Sequence, residues 1–493
     1  MLGPWRIHAE FQERLKEQVR VLLIGEPAKV GFHAKALEKV YCLNLDPLKE
    51  LVEPMYSTIG RPAVKQPEIF RAMVLAVHYQ ISITKMVQWL RSDEVLAIAC
   101  GFDPDDLPGV GNFYDLFNRL WLAEVPHKVL RPPLQKKKKE LKANEKLPPD
   151  NPETVDELVR QILKGNSLGS GPERLLQDIL AECAVIPSAE LNLLGDTFHL
   201  TFAGDGAPLA TGGNARGKKV CDCKQKGIYR CSCHRYYTDA NANWGWDSYH
   251  RCWFYGHTLY CLNAANSSND LPLMLSLRQA SCHDSITFVM AFDQLGSVLP
   301  EFGFDKVLLD SAHDAYSIYR LLNKKGVEPF INLNPRAKKE GKDNDTVCID
   351  PKGIPVCQAG LKMVFWGIEQ KRYRLKWRCP KYKNPDDCEF KEQCSSSSYG
   401  KVKYTRPEKD LRLFTKTPRG SKAWKKVYAR RSSTERSLKR LLVDYLIEKL
   451  RARSDKQWFW WATLAAINVH LDAQVKAASG SLIEELITEH NVA

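Results

Sequence analysis

The sequence predicts an α/β (α+β) protein: an all-helical front, a mixed-sheet domain, and a β-rich insertion that interrupts that domain. Three observations predict it. Apolar residues recur at helical spacing early in the chain, as Phe11, Leu15, Val19 and Leu22, then Ile69, Met73, Val74 and Val77. From Leu194 the texture changes to short alternating or wholly apolar runs, as strands show. Strand, helix and strand then follow one another from Val307 to Leu333, which implies a right-handed crossover and a mixed sheet.

Within the front, Ser82 is placed to cap a helix over Thr84 to Leu90, and Gly101 to stop one beginning near Ser92. Asn112 to Leu120 begins another. Short helices joined by a tight turn suit a helix-turn-helix reader of DNA or a plain helical bundle, and the pattern alone does not choose. The front is assigned to residues 1–135. The basic run Lys136 to Lys139 and the Pro, Asn and Asp-rich stretch after it read as a solvated linker, so 136–193 is a connector.

The mixed-sheet domain is assigned to 194–338 and 417–480. Phe198-His199-Leu200-Thr201-Phe202 alternates as a strand and runs into Ala203-Gly204-Asp205-Gly206. There the glycines predict a sharp turn, with Asp205 exposed at the strand end. Phe254 to Leu262 and Leu271 to Leu277 read as two further strands. Val307-Leu308-Leu309 is a buried central strand closing at Asp310; a helix over Ala312 to Leu322 and a strand over Phe330 to Leu333 follow. Residues 339–416 form the insertion, with strands at Met363 to Trp366 and Tyr373 to Trp377. Leu438, Leu441, Leu442 and Tyr445 give the next helix an apolar face, and Trp458 to Val475 packs as a last helix.

Composition narrows the function. The chain has 493 residues, 44% hydrophobic and 26% charged, enough for two or three domains with a sizeable core. The N-terminus lacks the apolar core of a signal peptide, and Gln457 to Leu471 is too short to span a bilayer, so no membrane partner is expected. Fifteen cysteines without a secretion signal argue for reduced thiols or metal ligands. Residues 401–440 hold fifteen Lys or Arg against three Asp or Glu, a charge of +12 in a chain of +14. Such a field suits a polyanion, DNA above all. The absence of any G-x-x-x-x-G-K-[ST] run disfavours a P-loop ATPase.

One carboxylate, Glu435, lies inside that field. With Asp205 and Asp310 at strand ends, where an α/β sheet places ligands, it makes a set of hard oxygen ligands suited to Mg²⁺ (or Mn²⁺). The local alternative is a capping box, Ser432-x-x-Glu435, at a helix start. Arg431, one turn before Glu435, would clamp a phosphate or pair with Glu435 itself. Tyr428 would position a strand or simply pack. Lys425, Lys426, Arg430 and Lys439 are further candidates for DNA contact. Asp314 reads as a cap on the following helix; His283-Asp284 reads as a loop, with contact to the site as the alternative. Cys221, Cys223, Cys231, Cys233 and His234 offer five zinc ligands within fourteen residues. They could staple a small loop that touches DNA, or remain free thiols. Cys379, Cys388 and Cys394, with Cys357, form a looser set read as unliganded.

These motifs resemble those of bacterial insertion-sequence DDE transposases, in the branch whose RNase H-like catalytic domain carries a β-rich insertion. Phe202-Ala203-Gly204-Asp205-Gly206 is similar to the family's first strand and first Asp. Leu308-Leu309-Asp310-Ser311-Ala312-His313-Asp314-Ala315-Tyr316 is similar to its second Asp motif. Tyr428, Arg431 and Glu435 match its Tyr, Arg and Glu signature, although Leu442 stands where the family often has Lys. The resemblance implies two divalent ions held by Asp205, Asp310 and Glu435, hydrolysis at the element's ends, and attack of the freed 3′ hydroxyl on target DNA. It implies double-stranded DNA partners, namely terminal inverted repeats and target, and a homodimer in the synaptic complex. The expected setting is the bacterial cytoplasm, at the nucleoid. A two-metal nuclease that does not rejoin strands, or a retired transposase that only binds DNA, would carry the same fold.

Overall fold

A computed structural model describes residues 1–136, 154–334, 349–384 and 387–478, with positions 482, 485, 486 and 488. Residues 137–153 of the expected connector and the first residues of the insertion lie outside the described residues; the rest of the connector carries the helices Val155–Leu163 and Arg174–Leu180.

The front is helical: His8–Gly25, Pro27–Cys42, Asp46–Val52, Gln66–His78, Ile83–Ser92, Glu94–Cys100 and Val110–Arg119. The Ser82 hydroxyl accepts from the Lys85 amide at 3.2 Å, as a cap does. Gly101 ends its helix at φ 92°, a conformation that costs glycine least. In Glu94–Cys100, Val95 to Cys100 are all buried, so this helix has no face left for a DNA groove. The front packs on the long Asp455–Ala477 helix, where Trp460 stacks on Phe117 and donates Nε1 to its carbonyl. Buried Lys39 bonds Asn468 and Asp472 of that helix. Among the described residues, no helix is long and apolar enough to cross a membrane.

The central sheet is mixed, with six strands: β1 Leu200–Ala210, β2 Asn243–Asp247, β3 Cys252–Ala264, β4 Pro272–Gln279, β5 Phe304–Leu309 and β6 Glu328–Ile331. β1 pairs antiparallel with β3 on one edge and parallel with β5 on the other; β5 pairs parallel with β6. β2 and β4 share the far edge of β3. The Asp284–Val298 helix covers one face, with Phe292 stacked on Phe202 of β1.

Two expectations for this sheet change. β1 does not end at Asp205; it runs eleven residues, and Asp205 pairs with Cys261 in mid-strand. Neither Gly204 nor Gly206 makes a turn. A Cβ on Gly204 would lie 2.6 Å from the Tyr260 hydroxyl, and one on Gly206 would lie 2.7 Å from Asp284 Oδ1. The glycines are there because side chains from the neighbouring elements fill that space. The helix expected from Ala312 is a 3₁₀ turn, Ser311–His313, followed by Tyr316–Lys324.

The described part of the insertion forms an antiparallel sheet of Val364–Glu369, Arg374–Arg378 and Val402–Thr405 over its own core of Met363, Leu375, Trp377 and Phe414. Buried arginines tie its exit to the central domain. Arg412 forms a two-pronged pair with Asp314, at 2.8 and 2.6 Å, and Arg419 reaches the Ile331 carbonyl and the Tyr319 hydroxyl. Asp314 is therefore an anchor and not the helix cap expected; the cap role falls to Asp310, which accepts from the Ala312 amide at 3.0 Å.

Candidate active site

The register of β1 on β5 sets the centre. Ala203 pairs with Leu308, so two residues further along Asp205 comes level with Asp310, just past the end of β5. The third carboxylate arrives from a helical segment that starts at Lys422 and runs through Tyr428, a 3₁₀ turn, Ser432–Lys439 and a wider turn to Asp444. Ser432 opens its helix straight from a 3₁₀ turn, Ala429–Arg431, and does not cap it. Its hydroxyl donates to the Ala429 carbonyl and Glu435 turns to Arg431, so the capping box does not form.

Small polar residues let this segment lie close on the sheet. Ser433, Thr434 and Ser437 are buried; the first two bond the Asn263 amide of β3, and Ser437 sits over Cys261. Upstream, Trp424 stacks on Phe330 of β6 and on Tyr428, whose hydroxyl donates to the Leu309 carbonyl at 3.3 Å. Tyr428 thus sits beside Asp310 with its phenol pushed up to about 12, chiefly by burial.

Arg431 joins two of the carboxylates. One guanidinium nitrogen lies 3.2 Å from Asp205 Oδ2 and the other 2.5 Å from Glu435 Oε1. The pairing of Arg431 with Glu435 is therefore made, and it extends to Asp205. Burial, then the charge of Asp310, push Asp205 up to about 6. Asp310 is held below the usual carboxylate range: burial opposes ionisation, but the His313 bond and charge outweigh it.

Two neighbours, His313 and Tyr260, escape sequence reasoning. His313, fully buried, bonds Asp310 Oδ1 through Nδ1 at 2.7 Å and the Tyr260 hydroxyl through Nε2 at 2.8 Å. Asp284 lies under Gly206, raised by burial and by Asp310. It opens the Asp284–Val298 helix, and His283 caps it through Ser285, so this pair is not merely a loop. The only signal for His313 is its place three residues after Asp310.

Of the other expected contacts, Lys425, Lys426, Arg430 and Lys439 are exposed on the outer side of the same helical segment. Arg436, itself exposed, pairs with Asp270, and half-buried Arg440 bonds the Asn269 and Val469 carbonyls. Leu442 packs against the core. Cys221, Cys223, Cys231 and Cys233 converge, their sulfurs all within 4.8 Å of one another. His234 is exposed and outside this group, so the five-ligand set reduces to four thiols.

Hard carboxylate oxygens at a partly open spot, with cations on the rim, fit a divalent ion bound together with a phosphodiester. Comparison with known proteins agrees. Residues 34–112 match the family described as Transposase domain (DUF772). Residues 210–469 match the Transposase DDE domain, a span that contains Asp310 and Glu435 and begins five residues after Asp205. No curated protein and no solved structure matches. The DDE match covers more than half of the 493 residues, and the chain belongs to the DDE transposases, enzymes that use divalent metal ions to cut and transfer polynucleotide strands.

Proposed function

We propose that the protein binds the ends of its own insertion sequence, hydrolyses a phosphodiester there, and joins the freed 3′ hydroxyl to target DNA. The observation that carries this reading is the convergence of Asp205, Asp310 and Glu435, two of them level across the β1–β5 ladder and the third joined to Asp205 through Arg431. Asp205, Asp310 and Glu435 would hold two Mg²⁺ (or Mn²⁺) ions. Bound ions supply charge stabilisation to the attacking and leaving oxygens of an in-line displacement.

The chain's own part is positioning. His313 fixes one oxygen of Asp310, which leaves the other free to face the substrate side. Arg431, which links Asp205 and Glu435, would clamp a phosphate at the site. Tyr428, held by Trp424 and the Leu309 carbonyl, packs against the cut strand. Lys425, Lys426, Arg430 and Lys439 carry the backbone of the duplex along the outer side. Synapsis of two ends calls for a homodimer on DNA. The four thiols are a site for structural Zn²⁺, since tetrahedral Cys₄ coordination is what that ion prefers.

The test uses labelled duplexes that carry the element's ends. Asp310→Asn and Glu435→Gln should each abolish cleavage while end binding survives. Pre-cut ends offered with a target plasmid should be joined by the wild type. Cleavage that persisted in either variant would refute the site, and cutting without joining would reduce the protein to a nuclease.

A further inference from the structure

Resting on that reading of the chain as a DNA-processing enzyme, we propose a second DNA track. It is a zinc-stapled basic lobe, together with a cationic groove at its root, that grips the backbone of duplex leading away from the cut site.

The lobe grows directly from the active-site strand. β1 continues five residues beyond Asp205 to Ala210, about 17 Å at a strand's rise, and the lobe begins just after. Its base is a three-stranded sheet of Val129–Arg131, Arg235–Tyr237 and Lys218–Lys219. Between the last two, residues 220–234 contain no helix or strand, and every residue from Lys224 to Arg230 is exposed, Tyr229 by 70%. Such a loop has no core of its own. What gathers it is the thiol cluster, with 3.6 Å between Cys221 and Cys231 and between Cys223 and Cys233. That is far longer than a disulfide, about 2.0 Å, and close to the roughly 3.8 Å between sulfurs bound tetrahedrally to zinc at about 2.3 Å.

Charge selects the occupant. Residues 214–237 hold seven Lys or Arg and one Asp. Four thiolates on Zn²⁺ add a charge of −2, so the stapled lobe stays strongly positive. At its root, the Gly212 amide donates to the Ala452 carbonyl at 2.9 Å, which sets Arg451 and Arg453 beside the lobe. There a cavity of about 780 Å³ is lined by Lys128, Arg451, Arg453, Lys456, Thr238 and Tyr114 among others, with no Asp or Glu among its described residues. Lobe and groove are thus one cationic surface, and a polyanion is its complement. At about 3.4 Å per base pair, this ~17 Å is about five pairs, so the surface meets the duplex roughly half a turn from the scissile phosphate. It touches backbone, and so binds without regard to sequence.

The experiment uses full-length protein and a 40-base-pair duplex of random sequence, with affinity read by fluorescence anisotropy from 50 to 300 mM salt. One variant carries Lys224→Glu, Lys226→Glu and Arg230→Glu; another carries Arg451→Glu and Arg453→Glu. Each should bind at least about tenfold more weakly at 100 mM salt. The slope of log Kd against log salt should fall by about 0.9 for each phosphate that is no longer neutralised, with the melting temperature unchanged. Elemental analysis should find one zinc per chain, absent in Cys223→Ser/Cys233→Ser, which should show the same reduction in slope. Unchanged affinity and slope in the charge variants, or disulfides in place of zinc on thiol counting, would overturn the proposal. Wild-type protein that cuts element ends while lobe variants bind normally would sink the track alone. Lobe variants that lose DNA while the wild type never cuts would sink the transposase chemistry alone.

Discussion

Asp205→Asn should make the metal-free protein more stable while it destroys the enzyme. The Asp205 side chain is only 23% exposed, and its carboxyl ionises at about 6 where an ordinary one ionises at 3.8. At about 1.4 kcal/mol for each tenfold change, ionised Asp205 costs roughly 3 kcal/mol near pH 7.5. The attraction of Arg431 is already inside that figure, because it is among the causes that lower the value. Asparagine removes the charge and keeps an oxygen for the Gly206 amide, which now donates to Asp205 Oδ1 at 2.9 Å. The sign follows from linkage: a carboxyl raised in the folded state binds protons more tightly there, so its cost is full above about pH 7 and gone below about 3.8. At pH 5 the gap between the two proteins should shrink to about half. Urea unfolding in EDTA at pH 7.5 and 5.0 measures it. In the same assay Mg²⁺ should stabilise the wild type, and the variant far less, since binding to the native state alone raises stability. A variant less stable than wild type at pH 7.5 in EDTA would refute the argument, because Asp205 would then be a structural partner of Arg431 and not a strained ion-binding group.

Three further outcomes follow from the same geometry. His313→Ala frees Asp310 from its Nδ1 bond and should cost about 10–100-fold in metal affinity or cleavage rate, with duplex affinity unchanged; equal losses in DNA binding would mean mere unfolding. Gly206→Ala drives a methyl to 2.7 Å from Asp284 Oδ1 and 2.9 Å from Thr258 Cγ2, and should destabilise by about 1–3 kcal/mol. Adding Asp284→Ala should recover part of that loss, and no recovery would show the space is not shared as described. Arg412→Leu leaves Asp314 buried without its partner and should cost about 3–5 kcal/mol. Limited proteolysis should then cut first within 349–416, and an unchanged cleavage pattern would contradict the anchor.

What can be read in the sequence is what local chemistry decides. Ser82 and Gly101 bound their helices because a hydroxyl cap and a left-handed glycine act within three or four residues. Val307-Leu308-Leu309 reads as a central strand because apolarity on both faces has one common cause, burial on both. The match of Tyr428, Arg431 and Glu435 to a signature is also legible, since helical spacing alone puts the last two on one side. What fails depends on partners distant in sequence. Gly204 and Gly206 read as a turn because glycine's commonest use is conformational; here the demand comes from Tyr260 and Asp284, some fifty and eighty residues away. The Ser432-x-x-Glu435 pattern satisfies the capping rule, yet the chain arrives already helical from Lys422, and Ser433, Thr434 and Ser437 serve the sheet instead.

The charge count shows the same division most sharply. Fifteen cations over residues 401–440 look like one DNA-facing field, but the fold commits several of them to carboxylates and carbonyls of the protein itself. Arg412 and Arg419 are buried against Asp314, Ile331 and Tyr319; Arg436 and Arg440 hold the Asn269–Asp270 loop. Arg431 is taken up by the acidic centre. Arginine suits these places because its planar fork makes several fixed bonds and stays charged when buried. The exposed cations named for DNA contact include three lysines, Lys425, Lys426 and Lys439, and one arginine, Arg430. Net charge therefore points to the right class of partner while overstating the surface that meets it. Residue type sorts the two better: in this stretch the arginines mostly build the site, and the lysines are left to solvent and to whatever polyanion comes.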